Sequence, residues 1–163
     1  MATAQKTSSA SAKKAHKATT LLRADHKLVE ELFEQYENAR STSKKKTLVA
    51  QICKELTVHA QIEEEIFYPK VKSVLKDSEL LPEAYVEHET LKNLIAQIQD
   101  VEPSGEMYDA KVKVLCEYVK HHVKEEHTEM FPQVNASSLD LYALGEELQI
   151  RKVQLMNDFG AAK

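Results

Sequence analysis

Tryptophan is absent from this chain of 163 residues, and glycine, proline and cysteine occur only three, four and two times. So few turn formers argue against a fold of short strands joined by tight turns. Cys53 and Cys116 show no C-x-x-C spacing, which excludes a disulfide framework and fits a reducing compartment. They read as small core residues. No apolar run is long enough to span a bilayer, and the N-terminus lacks the apolar core of a secretory signal. The expected setting is cytoplasmic, with no membrane partner. What is abundant is Leu, Ala, Glu and Lys, at a length that suits one domain. The expected class is all-α.

Charge is unevenly spread. Lys6, Lys13, Lys14 and Lys17 have no acidic neighbour in the first twenty residues. They leave about −8 for the body of a chain whose formal net charge is −4. A body of that sign is not expected to bind nucleic acid. Residues 1–18, rich in Ala, Ser, Thr and Lys, read as a flexible basic tail.

Apolar residues then recur at helical spacing in five segments. Leu22, Val29, Leu32, Phe33 and Tyr36 mark the first, and Leu48, Ile52, Leu56, Ile62 and Ile66 the second, with Pro69 expected to kink or end it. Leu81, Tyr85, Leu91, Leu94, Ile95 and Ile98 mark the third, and Tyr108, Val112, Leu115 and Val119 the fourth, expected to stop near Pro132. Short connections between long helices predict an up-down-up-down four-helix bundle over residues 19–135. A C-terminal helix in residues 136–163, with Leu141, Leu144, Leu148 and Leu155 at helical spacing, is expected to pack on its outside.

Within this pattern one stretch recurs. "HAQIEEEIFYP", His59 to Pro69, returns as "HVKEEHTEMFP", His122 to Pro132. Residues four apart on a helix share a face, so His59 with Glu63, and His122 with Glu126, project together from otherwise apolar faces. Burying such pairs is unfavourable without a partner, and a cation is the natural one. His26 and His88 lie on the apolar stripes of the first and third helices. His26 stands as far before the first hairpin's turn as His59 stands after it, and His88 and His122 do the same around Gly105. Antiparallel pairing therefore brings all six groups into one layer. Four imidazoles and two carboxylates exceed the needs of one tetrahedral zinc and suit two bridged first-row metals, with iron the leading choice.

His121 and His127 crowd the second motif, but the repeat aligns His122 with His59, His121 with Val58 and His127 with Glu64. Glu129, Tyr85 and Tyr118 lie near enough in sequence to reach the site, but Glu129 reads as a solvated surface acid and the two tyrosines as packing residues. Glu64, Glu65 and Glu125 read as a solvated face. Ferritin-like Glu-x-x-His is missing, and Lys92 stands where a zincin starting at His88-Glu89 would need its second histidine.

His26, His59-x-x-x-Glu63, His88 and His122-x-x-x-Glu126 together resemble the hemerythrin-like, or HHE cation-binding, domain, over about residues 20–135. The resemblance implies a di-iron centre with the four histidines as terminal ligands, Glu63 and Glu126 as bridges, and an oxygen species or water as a further bridge. Two departures matter. Oxygen-carrying hemerythrins have a second histidine one turn from the third helix's ligand, where this chain has Ala84 and Lys92, and they space the last histidine and carboxylate by five rather than four. An open iron position and redox reactivity or sensing follow. Four functions therefore stand: a di-iron module binding oxygen or a related small molecule, an enzyme handling peroxide or nitric oxide, a protein buffering iron, and a helical interaction protein without metal. No protein partner is specified.

Overall fold

The computed structural model describes residues 16–77 and 79–161, and among them no strand occurs. The expected basic tail falls largely on residues 1–15, outside that range. Helix α1 spans Ala18–Asn38 and α2 Thr42–Ile62. Their three-residue link ends at Ser41, whose hydroxyl accepts from Lys44 N–H and satisfies one of the free donors at the start of α2. Helix α2 does not end at Pro69. A five-residue π-helical turn, Glu63–Phe67, leads into α3, Tyr68–Val71, and a 3₁₀ turn to Val74. The second hairpin repeats the plan with α4, Leu80–Ile98, and α5, Gly105–Glu125. A π turn, Glu126–Met130, then leads into α6, Phe131–Asn135.

The two prolines explain both π turns. Proline has no N–H to donate, and its ring crowds the carbonyl four residues back. Widening the preceding turn relieves that crowding while the chain stays helical. The expected kink at Pro69 and stop near Pro132 are thus corrected to an expansion in mid-helix. Tyr68 N–H bonds to Glu63 O, and Phe131 N–H to Glu126 O, five residues back in each case. The residue five beyond each carboxylate is thereby turned toward the side that the carboxylate occupies.

Four long helices form the up-down-up-down bundle, each packed chiefly on its hairpin partner. Helix α7, Leu141–Ala161, lies across α1 and α2, as the apolar spacing of its leucines required. Gly145 makes that approach possible, since a Cβ there would sit 1.9 Å from the carbonyl oxygen of His16. Two apolar clusters fill the interior. One gathers Leu22, Ile62, Phe67, Phe131 and the α7 leucines, and the other Val29, Phe33, Ile52, Leu91, Ile95, Leu115 and Val119. Cys53 and Cys116 are free thiols buried in the second, and burial pushes the Cys53 thiol up to about 12. Between the clusters runs one polar layer.

Candidate metal centre

That layer holds His26, His59, Glu63, His88, His122 and Glu126, and all six are buried. Helical register puts them there: His26, His59 and His88 each stand between residues of the two apolar clusters on their own helices, and His122 lies between Val119 of one cluster and Met130 of the other. The Nε2 atoms of His26 and His59 approach to 3.0 Å across the first hairpin, and those of His88 and His122 to 3.1 Å across the second. Glu63 Oε1 lies 3.0 Å from His59 Nε2 and 3.4 Å from His88 Nε2. Glu126 stands 2.5 Å from His122 Nε2 through one oxygen and 3.7 Å from His26 Nε2 through the other. Each carboxylate therefore reaches nitrogens of both hairpins.

These approaches leave polar atoms unsatisfied. Both oxygens of Glu63 and Oε2 of Glu126 are buried without a hydrogen bond, because the neighbouring nitrogens are close but poorly directed. Orphaned buried carboxylate oxygens cost several kcal/mol, on the order of the penalty for an unpaired buried charge. Hard anionic oxygens beside imidazole nitrogens are donors that first-row divalent ions accept, so the residues present fit a cation. Two overlapping groups have ligand atoms mutually within 4.8 Å: His26, His59 and Glu63, and Glu63, His88, His122 and Glu126. Glu63 belongs to both.

Without a cation the charges must offset one another. Burial pulls the His59 imidazole down, but Glu63 and Asp25 outweigh it and push it up to about 10. His122 is raised well above its ordinary value against the same burial penalty, chiefly by Glu126. Burial and the neighbouring His59 hold His26 well below its ordinary value. Burial and the Glu63 charge raise Glu126, whereas the surrounding histidines overcome burial and hold Glu63 well below the carboxylate range.

Behind the six groups stand partners that the sequence reading passed over. His59 Nδ1 donates to Asp25 Oδ2 at 2.9 Å, and His122 Nδ1 to Glu87 Oε2 at 2.7 Å. Each bond fixes the tautomer that leaves Nε2 free to face the centre. His26 Nδ1 lies 2.8 Å from His127 Nε2. His88 Nδ1 lies 3.6 Å from Glu64, which Lys92 holds at 2.8 Å, so Glu64 is not the solvated acid expected. A signal for two of these was present: an acid immediately precedes the histidine in both Asp25-His26 and Glu87-His88.

Tyr68 had no such signal. Its hydroxyl donates to Glu126 Oε1 at 2.8 Å and lies 3.3 Å and 3.4 Å from His88 and His122 Nε2. Only the π turn brings a residue five beyond Glu63 to that place. At the equivalent point Phe131 stacks on His26, with ring centroids 6.0 Å apart. Other candidates lie outside the cluster. His121 points outward and pairs with Glu125 at 3.1 Å, Glu129, Tyr118 and Tyr85 are exposed, and Tyr85 meets the Tyr68 ring edge-on.

Bundle and buried His/Glu layer together define a cation-binding helical domain. Residues 17–134 match the Hemerythrin HHE cation binding domain, and the chain belongs to that family. A relative from Nostoc sp. (strain PCC 7120) named DNA nickase is 30% identical over 142 residues, which are 86% of this chain and 40% of that protein. This chain thus spans well under half of that relative. The crystal structure of a Hemerythrin HHE cation binding domain-containing protein from Mycobacterium kansasii superposes with a TM-score of 0.76, covering 88% of this chain and 89% of that one. At 21% identity it speaks for the fold alone.

Proposed function

We propose that the chain binds two iron ions in this layer and, through them, a small molecule such as oxygen, for storage, delivery or sensing. The observation that carries the reading is the pair of carboxylates, Glu63 and Glu126, each set between imidazoles of both hairpins with oxygens left unpaired. His26 and His59 would serve one ion and His88 and His122 the other, with the carboxylates shared. When bound, the irons supply a redox-active Lewis-acid centre open to an oxygen-type ligand.

The protein's own contribution is orientation and exclusion of water. Asp25 and Glu87 hold His59 and His122 with Nε2 inward, and the apolar clusters above and below keep bulk solvent from the layer. Tyr68 brings a hydroxyl proton to the layer, directed at Glu126 Oε1, and offers a donor beside any ligand held there. Buried Ala84 and exposed Lys92, on α4, add no further imidazole, which supports an open position. Such a position also suits reduction of peroxide, handling of nitric oxide or buffering of iron. The cytoplasm is the proposed location; among the described residues no helix is long and apolar enough to cross a membrane.

The name of the Nostoc relative raises a second reading, DNA cleavage by two cations, favoured by 30% identity over most of this chain. Opposing it is a net charge of −4, since phosphate contacts dominate DNA affinity. Elemental analysis after anaerobic reconstitution with ferrous iron tests the first reading: about two irons per chain support it, and none would end it. Oxygen adduct formation, peroxide turnover and relaxation of supercoiled plasmid by the loaded chain then separate the functions.

A further inference from the structure

Helix α7 lies beyond the residues that match the family, 17–134, yet it reaches the polar layer. Lys152 Nζ contacts Asp25 Oδ1, while Asp25 Oδ2 accepts from His59 Nδ1 at 2.9 Å. One buried carboxylate is thus shared between an ammonium from α7 and a histidine of the centre. We infer that Lys152 is a positioning residue for the metal centre, holding His59 through Asp25, so that seating of α7 and cation affinity on the first hairpin are linked. The inference rests on the metal-binding reading.

Three observations support it. Asp25 is 5% exposed, and a carboxylate so buried needs compensation on both oxygens. Lys152 supplies it on the side away from His59, leaving Oδ2 directed at the imidazole. Helix α7 is itself fixed by Leu144, Leu148 and Leu155 in the apolar cluster, so the ammonium is delivered by a packed element rather than by a mobile surface chain. Finally, the arrangement is one-sided. Glu87 is the counterpart of Asp25 behind His122, and among the described residues no lysine or arginine lies within ion-pair distance of it. Its neighbours are another carboxylate, Glu125, and the exposed His121.

An ion pair that merely anchors the helix would look similar, and the molecule contains a control. Arg151, the adjacent residue, bonds Glu65 at 2.7 Å and 3.2 Å, and Glu65 touches no histidine of the centre. Both pairs tie α7 to the first hairpin, but only one continues to a ligand.

The test compares full-length wild type with Lys152→Met, Lys152→Arg and Arg151→Gln, titrated with cobalt(II), whose visible spectrum reports coordination geometry, against a chelator. Lys152→Met is expected to weaken one of two bound cobalt ions about tenfold or more, the usual effect of disturbing a ligand's partner. Its visible bands should shift as well. Lys152→Arg should restore both affinity and spectrum, and Arg151→Gln should leave both unchanged. Thermal melting of the metal-free variants checks folding; should Lys152→Met not fold, Lys152→Gln replaces it under the same expectations. Wild-type affinity and spectrum in the uncharged variant would overturn the inference alone. So would equal weakening by Lys152→Met and Arg151→Gln, which would mean anchoring. A wild type that binds no cobalt would overturn both this inference and the metal reading beneath it.

Discussion

The first hairpin, α1 with α2, and the second, α4 with α5, carry the same device in the same places. Asp25 and Glu87, His26 and His88, His59 and His122, Glu63 and Glu126, and Pro69 and Pro132 correspond pair by pair. Even the contacts correspond, His59 leaning on Asp25 as His122 leans on Glu87. The hairpins differ where the inner groups meet what lies around them. Where one has Tyr68 the other has Phe131, where one has Glu64 the other has His127, and Lys152 supports one side only. What would hold a cation is duplicated, whereas what would face a ligand or solvent is not.

Breaking the duplicated part should have the largest effect. Glu63→Ala and Glu126→Ala each remove a group shared by both hairpins, so either is expected to lower bound iron from two per chain to none. Elemental analysis decides. One ion retained in either variant would mean that the hairpins bind independently and that the carboxylates do not bridge.

The metal-free chain should also show the two hairpins' second histidines acting alike. His59 is raised to about 10, and His122 is raised well above its ordinary value. A histidine raised on folding stabilises fully below its unfolded value of about 6.5, and that contribution is lost as pH rises through the folded value. Metal-free stability is therefore expected to fall between roughly pH 6.5 and 10. Metal-loaded stability should not fall there, because bound imidazoles are already neutral. Urea denaturation across that range, with and without cobalt, compares the two slopes; parallel slopes would detach the histidines from the cation.

Helix α7 packs chiefly on the first hairpin, and Gly145→Ala tests how closely. A methyl group 1.9 Å from the His16 carbonyl cannot be accommodated without moving the backbone. Overpacking of this kind costs about 1–3 kcal/mol. Gly160 has nothing within 4 Å of the same substitution, so Gly160→Ala is the neutral reference in thermal melts.

Exchanging the unlike aromatics comes next. Tyr68→Phe removes a buried hydroxyl bonded to a carboxylate, at a cost of about 2 kcal/mol in the metal-free chain. Phe131→Tyr would add a hydroxyl at the equivalent point beside His26, in a layer where both Glu63 oxygens and Glu126 Oε2 are unpaired acceptors. Denaturation of both variants should show a loss in the first that the second does not mirror in kind.

Much of this is legible in the sequence alone. The helices follow from apolar spacing, and the six inward groups from the repeat of His-x-x-x-Glu and the equal distances of His26 and His59, and of His88 and His122, from their turns. Two things were hidden for physical reasons. A π turn depends on how a proline's ring is relieved, and regular helical counting puts Tyr68 well off the direction of Glu63. Lys152 lies 127 residues from Asp25, and no periodicity connects a surface-spaced lysine on one helix to a buried acid on another. The Asp25-His26 and Glu87-His88 doublets were visible, but each acid serves the histidine on the opposite helix rather than its neighbour.

The smallest effect is expected where the repeat departs most gently. His127, half-buried, stands behind His26 where Glu64 stands behind His88. A carboxylate accepting from Nδ1 makes an imidazole a better ligand than a second imidazole does, because it stabilises positive charge on the ring. His127→Glu would therefore make the hairpins alike and is expected to tighten cobalt binding severalfold, while His127→Ala, which leaves His26 Nδ1 to solvent, should loosen it. Arg23, which lies over the Phe131 ring and acts on the charge of His127, can help balance the added acid beside Glu126. If both substitutions weaken binding equally, the imidazole at 127 serves His26 as an imidazole, and the asymmetry between the hairpins is a requirement of the centre rather than a tolerated difference.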